Sequence, residues 1–61
     1  MKPDCELTEC DGNVFMIIGR VSKTLKRAGM AAMAEEFCAK AKTCKSYDNV
    51  LRLCFDYVEV S

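Results

Sequence analysis

The chain has 61 residues, of which 51% are apolar and 30% are charged, and this composition indicates a folded globule rather than a disordered segment. A chain of this length forms one domain with a small core, since it buries only about 60% of the surface that its unfolded form exposes. Its nine basic and nine acidic residues cancel to a net charge of zero. This argues against duplex DNA as the partner, because DNA-binding domains usually carry a clear basic excess.

No stretch of the sequence predicts a membrane span or a secretion signal. The longest apolar run is VFMII, residues 14–18, whereas a membrane span needs about 18 residues. Residues 1–12 carry four carboxylates and no apolar stretch, unlike a signal peptide. We therefore expect a cytoplasmic protein with no membrane partner.

Residues 1–12 predict a strand and a turn that lead into the first helix. The stretch CELTEC alternates apolar and polar residues, as a short strand with one buried face does. The Asp-Gly-Asn sequence that follows supplies a turn and a helix N-cap, for which Asp11 or Asn13 is the candidate.

The first predicted helix covers residues 13–28 and has one apolar and one basic face. Gly29 follows it, as glycine commonly follows the C-terminus of a helix. The basic side chains occupy the face that an amphipathic helix turns to solvent, and they oppose the negative end of the helix dipole. The apolar stripe consists of Val14, Ile17, Ile18, Val21 and Leu25, and the basic cluster, our candidate partner-binding site, consists of Arg20, Lys23, Lys26 and Arg27.

Two further helices are predicted over residues 30–43 and 46–57, followed by a strand over 57–60. Ser46 is the expected N-cap of the third helix, and the short connection at Gly29 indicates an αα-hairpin of the first two. The inner stripe of the second helix is Met30, Met33, Ala34, Phe37, Cys38 and Ala41. That of the third is Tyr47, Val50, Leu51, Cys54 and Val58, and its apolar arc is widened by Leu53, Phe55 and Tyr57.

These elements predict a mostly α fold with a minor β component, classed as α+β. Three short helices form a single small domain over residues 1–61. The N- and C-terminal segments pair as a two-stranded antiparallel ribbon, in which the residues of CELTE lie beside those of YVEV.

Five cysteines and no histidine leave three interpretations of the thiols. A zinc site would need four of the five thiolates, and no pair has the Cys-x-x-Cys spacing. A disulfide is disfavoured in a reducing cytosol. A buried free cysteine behaves as a small apolar residue, and we favour this interpretation for Cys38 and Cys54, which lie on apolar helical faces. The five are Cys5, Cys10, Cys38, Cys44 and Cys54.

The sequence predicts no enzymatic activity and no cofactor. Without histidine the commonest general base is missing, and the glycines are too scattered to form a phosphate-binding loop. Cys44 lies between Lys42 and Lys45 and is the thiol best placed for activation, but we interpret it as an exposed cysteine at a helix end.

Self-association is the outcome that the apolar pattern favours. The arc of the third helix is wider than a neighbouring hairpin can cover, and an uncovered apolar patch commonly marks an interface. A twofold homodimer is the commonest closed assembly. Its predicted interface consists of Phe15, Gly19 and Ser22 on the first helix and Leu53, Phe55 and Tyr57 on the third.

Nucleic-acid binding is the alternative function. The four cations of the first helix would contact phosphates, but they lack interleaved aromatic residues. The second helix, which would be the recognition helix of a helix-turn-helix, is alanine-rich and acidic. We therefore expect a small regulatory nucleic-acid-binding protein only as the second hypothesis.

Two stretches, NVFMIIGRVSKTLKRAGM with its AEEF continuation and SYDNVLRLCFDYVEV, resemble short proteins carried by bacteriophages and mobile elements. The features shared are G-R-x-S-x-x-L-x-x-A-G and S-Y-D-x-x-L-x-x-x-x-x-Y-V, and the resemblance covers most of residues 13–60. It is greatest to the very small phage inhibitors of bacterial defence systems of the anti-Hachiman type. The resemblance implies a protein that binds and blocks a host immune protein without performing chemistry.

Overall fold

The computed structural model describes residues 2–7 and 13–60 and has the element order β1–α1–α2–α3–β2. About seven in ten of the described residues are helical, which confirms the predicted class of three helices with a minor strand component. The elements are β1 (Asp4–Cys5), α1 (Val14–Arg27), α2 (Ala31–Thr43), α3 (Tyr47–Tyr57) and β2 (Glu59–Val60).

The two strands pair in parallel, so the prediction of an antiparallel ribbon is wrong. Asp4 lies opposite Glu59 and Cys5 lies opposite Val60. A short hairpin can join antiparallel strands, whereas parallel strands need a long crossover. The helices α1, α2 and α3 lie between β1 and β2 in the chain and form such a crossover, so that β2 runs beside β1 in the same direction.

The helix ends follow from identifiable residues. The Asn13 side chain accepts hydrogen bonds from the backbone N–H groups of Phe15 and Met16, at 3.0 and 3.3 Å, so Asn13 is the N-cap of α1. The other candidate, Asp11, lies outside the described residues. Ser46 caps α3 as predicted, with its hydroxyl oxygen 3.2 Å from the Asn49 nitrogen.

The core lies where the three helices and the inner face of the sheet meet. Phe37 of α2 is fully buried at its centre, and the inward stripes of α1 and α3 pack around it. The stripes predicted for the three helices supply most of this core, but Met33 and Tyr47 are 39% and 40% exposed. The buried residues are Cys5, Leu7, Ile17, Val21, Leu25, Ala34, Phe37, Ala41, Val50, Cys54, Tyr57 and Val58.

The fold closes this core within one chain. Its accessible surface is 4137 Å², close to the roughly 4,000 Å² expected of a compact monomer of this length. The large uncovered apolar arc that the sequence predicts is therefore reduced to a few exposed side chains.

None of the helices within residues 2–7 and 13–60 combines the length and the apolarity that crossing a bilayer requires.

The same substitution at two glycines should have opposite effects on stability. Gly19 lies within α1, and a Cβ added there meets no atom within 4 Å, so Gly19→Ala should stabilise the protein by about 1 kcal/mol through helix propensity. Gly29 has a φ of +78°, a left-handed conformation that costs other residues about 1–2 kcal/mol, so Gly29→Ala should destabilise it. Thermal unfolding of the two variants measures both shifts, which are about 4–8 °C per kcal/mol for a domain of this size. Shifts of the same sign would contradict the description of these two sites.

Candidate protein-binding surface

The basic cluster of α1 is divided between two clefts. Three of its members, Arg20, Lys23 and Arg27, line a cleft of about 370 Å³ between α1 and β1. We call this the strand-side cleft. On the β1 side it is lined by Asp4 and Glu6, so the two elements that border the cleft carry charges of opposite sign.

Lys26 lies apart from the other three cations. It lines a second cleft of about 260 Å³ between α1 and α2, together with Ser22 of α1 and Glu35 and Lys42 of α2. The helix geometry explains the separation, because successive residues lie 100° apart around the axis. The structure therefore does not bring the four predicted residues together as one site.

The acidic wall of the strand-side cleft went unrecognised in the sequence. Asp4 and Glu6 stand on either side of the buried Cys5 and are themselves exposed, and this alternation is the signal that places them on one face of β1. Glu59 of β2 lies beside Asp4 and is also exposed. The outer face of the sheet is thus acidic directly beside the basic wall of α1.

The floor of the strand-side cleft is formed by a thiol and a hydroxyl. The Thr24 hydroxyl donates a hydrogen bond to Cys5 Sγ at 3.5 Å, and Cys5 is 2% exposed. This contact links β1 to α1. Because a thiol is only weakly polar, Cys5 packs as a small apolar residue.

Among the large apolar side chains of the described residues, Phe15 in the first turn of α1 has the highest exposed fraction. It is 84% exposed, and the neighbouring Met16 is 48% exposed. Gly19, one turn further along, has open space in place of a side chain. Phe15, Met16 and Gly19 form what we call the α1 apolar patch, with Met16 and Gly19 reaching the edge of the strand-side cleft.

The predicted dimer residues of α3 do not form one surface. Leu53 packs against the core, whereas Phe55 is 54% exposed. Two residues that are two positions apart lie about 200° apart around a helix, so they face opposite ways. Tyr57 is 4% exposed and belongs to the core, which excludes it from a surface interface. On α1, Phe15 and Gly19 are exposed and Ser22 is half-buried.

Tyr57 is buried because its two ends have different partners. Its ring packs edge-on against Phe37, with the centroids 5.4 Å apart, and its hydroxyl donates a hydrogen bond to Glu36 Oε2. Lys40 Nζ lies 6.0 Å from the ring centroid and 3.9 Å from Glu36 Oε2. An aromatic residue with a polar tip can therefore enter this small core without leaving its hydroxyl unpaired.

These contacts raise the pKa of Tyr57 above its ordinary value. The hydrogen bond to Glu36 is the main cause, and burial of the ring adds to it, because both disfavour the tyrosinate. The pKa of Lys40 is also raised, chiefly by its interaction with the Tyr57 hydroxyl and then by Glu36. Both groups thus hold their protons more tightly in the folded protein than in the unfolded chain.

Stability should consequently fall at alkaline pH. The contribution of a raised pKa is complete below the unfolded value, which is about 10 for tyrosine, and is lost as pH rises through the folded value. Tyr57→Phe should unfold more readily at pH 8 but should lose less stability between pH 9 and 11 than the wild type. Urea unfolding across this range measures the slope, with Tyr47→Phe as the control because Tyr47 is 40% exposed. An unchanged slope for Tyr57→Phe would contradict the assignment.

The cysteines of the described segments form no disulfide with one another and lie in different surroundings. Cys5 and Cys54 are buried, and Cys38 and Cys44 are partly buried, while Cys10 lies outside the described residues. Cys44 Sγ donates to the Lys40 carbonyl oxygen at 3.6 Å. Over residues 2–7 and 13–60, no three or more His, Cys, Asp or Glu side chains gather where they could hold a metal ion.

Comparison with protein-family models, with curated proteins and with solved structures finds no match to this chain.

Proposed function

We propose that this chain is a non-enzymatic inhibitor that binds and blocks a host immune protein, as a phage-encoded anti-defence protein acting in the host cytoplasm. The observation that carries the proposal is the 84% exposure of Phe15. The resemblance to small phage inhibitors supplies the class of target. The α1 apolar patch and the charges beside it supply a surface suited to binding a protein.

Phe15 contributes little to the stability of the chain that carries it. An exposed phenylalanine in water gains no burial energy, yet aromatic residues bury about 150–250 Å² each when they enter an interface. The cations Arg20 and Arg27 lie on the same helix, and arginine is enriched with aromatic residues at interface centres. The combination of an uncovered ring and nearby arginines is typical of a hot spot.

Nucleic-acid binding remains the alternative, and the strand-side cleft weighs against it. Asp4 and Glu6 line the same cleft as the cations, so a phosphate entering the cleft would meet two carboxylates. A salt titration separates the hypotheses, since phosphate contacts make affinity fall steeply with salt concentration. The alternative would be favoured if the chain binds DNA or RNA, duplex or single-stranded, and if the slope of log affinity against log salt concentration requires three or more phosphate contacts.

Homodimerisation is a further part of the proposal, now limited to α1. Phe15 and Gly19 offer an exposed ring beside an open backbone, where a second α1 can approach closely. If the dimer uses this surface, Gly19→Ala should raise the unfolding temperature of the monomer but weaken association. Sedimentation velocity over a range of protein concentrations measures both the wild type and the variant.

Phage plating on defended cells tests the proposed function. The chain is co-expressed with individual bacterial defence systems, Hachiman first, and plating efficiency is compared with that of cells carrying an empty vector. We expect one system to be neutralised, with plating restored to that of undefended cells. Failure to restore plating against every system would contradict the proposal.

A further inference from the structure

In the part of the chain that the structure describes, β1 is paired along one edge. The Pro3 carbonyl accepts a hydrogen bond from the Glu59 N–H at 2.9 Å, and Asp4 lies opposite Glu59 in the parallel register. Successive residues of a strand direct their backbone groups to opposite edges. The N–H and C=O of Asp4 therefore point away from β2, along the edge that borders the strand-side cleft.

The opposite wall of this cleft carries cations at the spacing of an extended chain. Lys23 and Arg27 are four residues apart on α1, which is about 6 Å along the helix axis. Side chains on one face of a strand repeat about every 6.7 Å. Carboxylates on alternate residues of an added strand would thus meet successive cations of α1.

The other face of the same strand would meet negative charge. Asp4 and Glu6 project from the face of β1 opposite to the buried Cys5. A strand added beside β1 places its alternate side chains on these two faces. Side chains of the added strand that lie on the same face as Cys5 approach the cations of α1, so acidic groups are favoured there. Side chains on the other face approach the carboxylates of Asp4 and Glu6, so basic groups are favoured there.

We propose that the edge of β1 facing away from β2 binds an extended segment of the partner protein in which acidic and basic residues alternate, as a third strand of the sheet. Addition of a strand to an exposed edge is a common mode of peptide recognition, with affinity from the backbone and specificity from alternate side chains. The inference rests on the proposed function and deepens it, because it names the element of the target that is recognised.

A second copy of this chain fits the same edge poorly. In an antiparallel twofold pair of β1 strands, Asp4 lies opposite either Asp4 or Glu6 of the other copy, and Lys2, on the same face, offsets only the first of these registers by lying opposite Glu6. Like charges directly opposite each other destabilise a sheet. The charge pattern therefore favours a segment of a different protein.

Peptide titration of the isotopically labelled full chain tests this proposal by NMR. The probe is a capped octapeptide that alternates glutamate and lysine. One control has the same composition in two blocks, and another is N-methylated on alternate residues along the edge that faces β1. We expect saturable shifts at residues 4–6 and 19–27 with the alternating peptide, and binding at least tenfold weaker with both controls. Equal affinity for either control, or no saturable shift, would overturn the proposal.

Two adjacent charge reversals supply the matched protein variants. Arg27 lines the strand-side cleft and Lys26 lines the other, and both lie in the last turn of α1. Arg27→Glu should weaken the alternating peptide about tenfold, whereas Lys26→Glu should change its affinity less than about twofold. Equal weakening by both would show a diffuse charge effect and overturn the assignment of the cleft. Circular dichroism confirms that both variants are folded.

Failure of this inference can be distinguished from failure of the proposed function. If the chain restores plating, and Arg27→Glu still restores it while the peptides do not bind, the inhibitor function stands and strand addition is overturned. If the alternating peptide binds selectively but no defence system is neutralised, strand addition stands and the inhibitor function is overturned.

Discussion

Replacing Phe37 by alanine should remove most of the protein's stability. Phe37 is completely buried and its ring packs against Tyr57. Truncating a buried phenylalanine to alanine costs about 3–5 kcal/mol, while a domain of this length is stable by only about 3–9 kcal/mol. Thermal unfolding followed by circular dichroism should show a fall of about 12–40 °C in the unfolding temperature of the variant.

The chain offers two matched controls for this substitution. Phe15 and Phe55 are 84% and 54% exposed, and the same change to alanine at either position should lower stability by less than about 1 kcal/mol. Phe37→Leu keeps most of the buried volume and should remain folded with an intermediate unfolding temperature. A Phe37→Ala variant that unfolds within a few degrees of the wild type would contradict the assignment of the core.

The second large effect is expected on binding, from Phe15→Ala. If Phe15 is the anchor of the interface, its truncation should weaken the target complex by about 2 kcal/mol or more, or roughly thirtyfold. Phage plating on defended cells should fall accordingly. The unfolding temperature should stay within a few degrees of that of the wild type, because the ring is not packed in the free chain.

Phe55→Ala is the control for this effect. The substitution removes the same chemical group, but from α3. The Phe55 backbone carbonyl accepts a hydrogen bond from Lys2 Nζ at 2.7 Å, and truncation of the side chain leaves this bond intact. We expect Phe55→Ala to retain inhibition. A Phe55→Ala variant that abolishes inhibition while Phe15→Ala preserves it would move the interface to α3.

The sequence was sufficient for those features of the fold that depend on neighbouring residues. The stripe of α1 has the period of a helix, and Asn13, Ser46 and Gly29 act within a turn of the helix end that each defines. Such signals need no knowledge of the tertiary structure. The same holds for the buried position of Cys54, which follows from its place on the inner face of α3.

Features that depend on distant residues could not be predicted in this way. The strand direction is set by how three helices return the chain to β1, and the local pattern of residues 57–60 carries no information about it. Tyr57 enters the core because its hydroxyl donates a hydrogen bond to Glu36, which lies 21 positions earlier in the chain. The charge cluster of α1 was recognised, but its acidic counterpart was not, since only the tertiary structure brings Asp4 and Glu6 into the same cleft.

Direct measurement of the complex tests the central claim most sharply. The purified chain is mixed with a purified protein of the defence system that it neutralises, and the mixture is analysed by size-exclusion chromatography with light scattering. We predict a stable complex with the wild type and with Phe55→Ala, and separate elution of Phe15→Ala. Neutralisation without any complex, or a complex that Phe15→Ala forms as tightly as the wild type, would contradict the claim that the exposed ring of α1 holds the target.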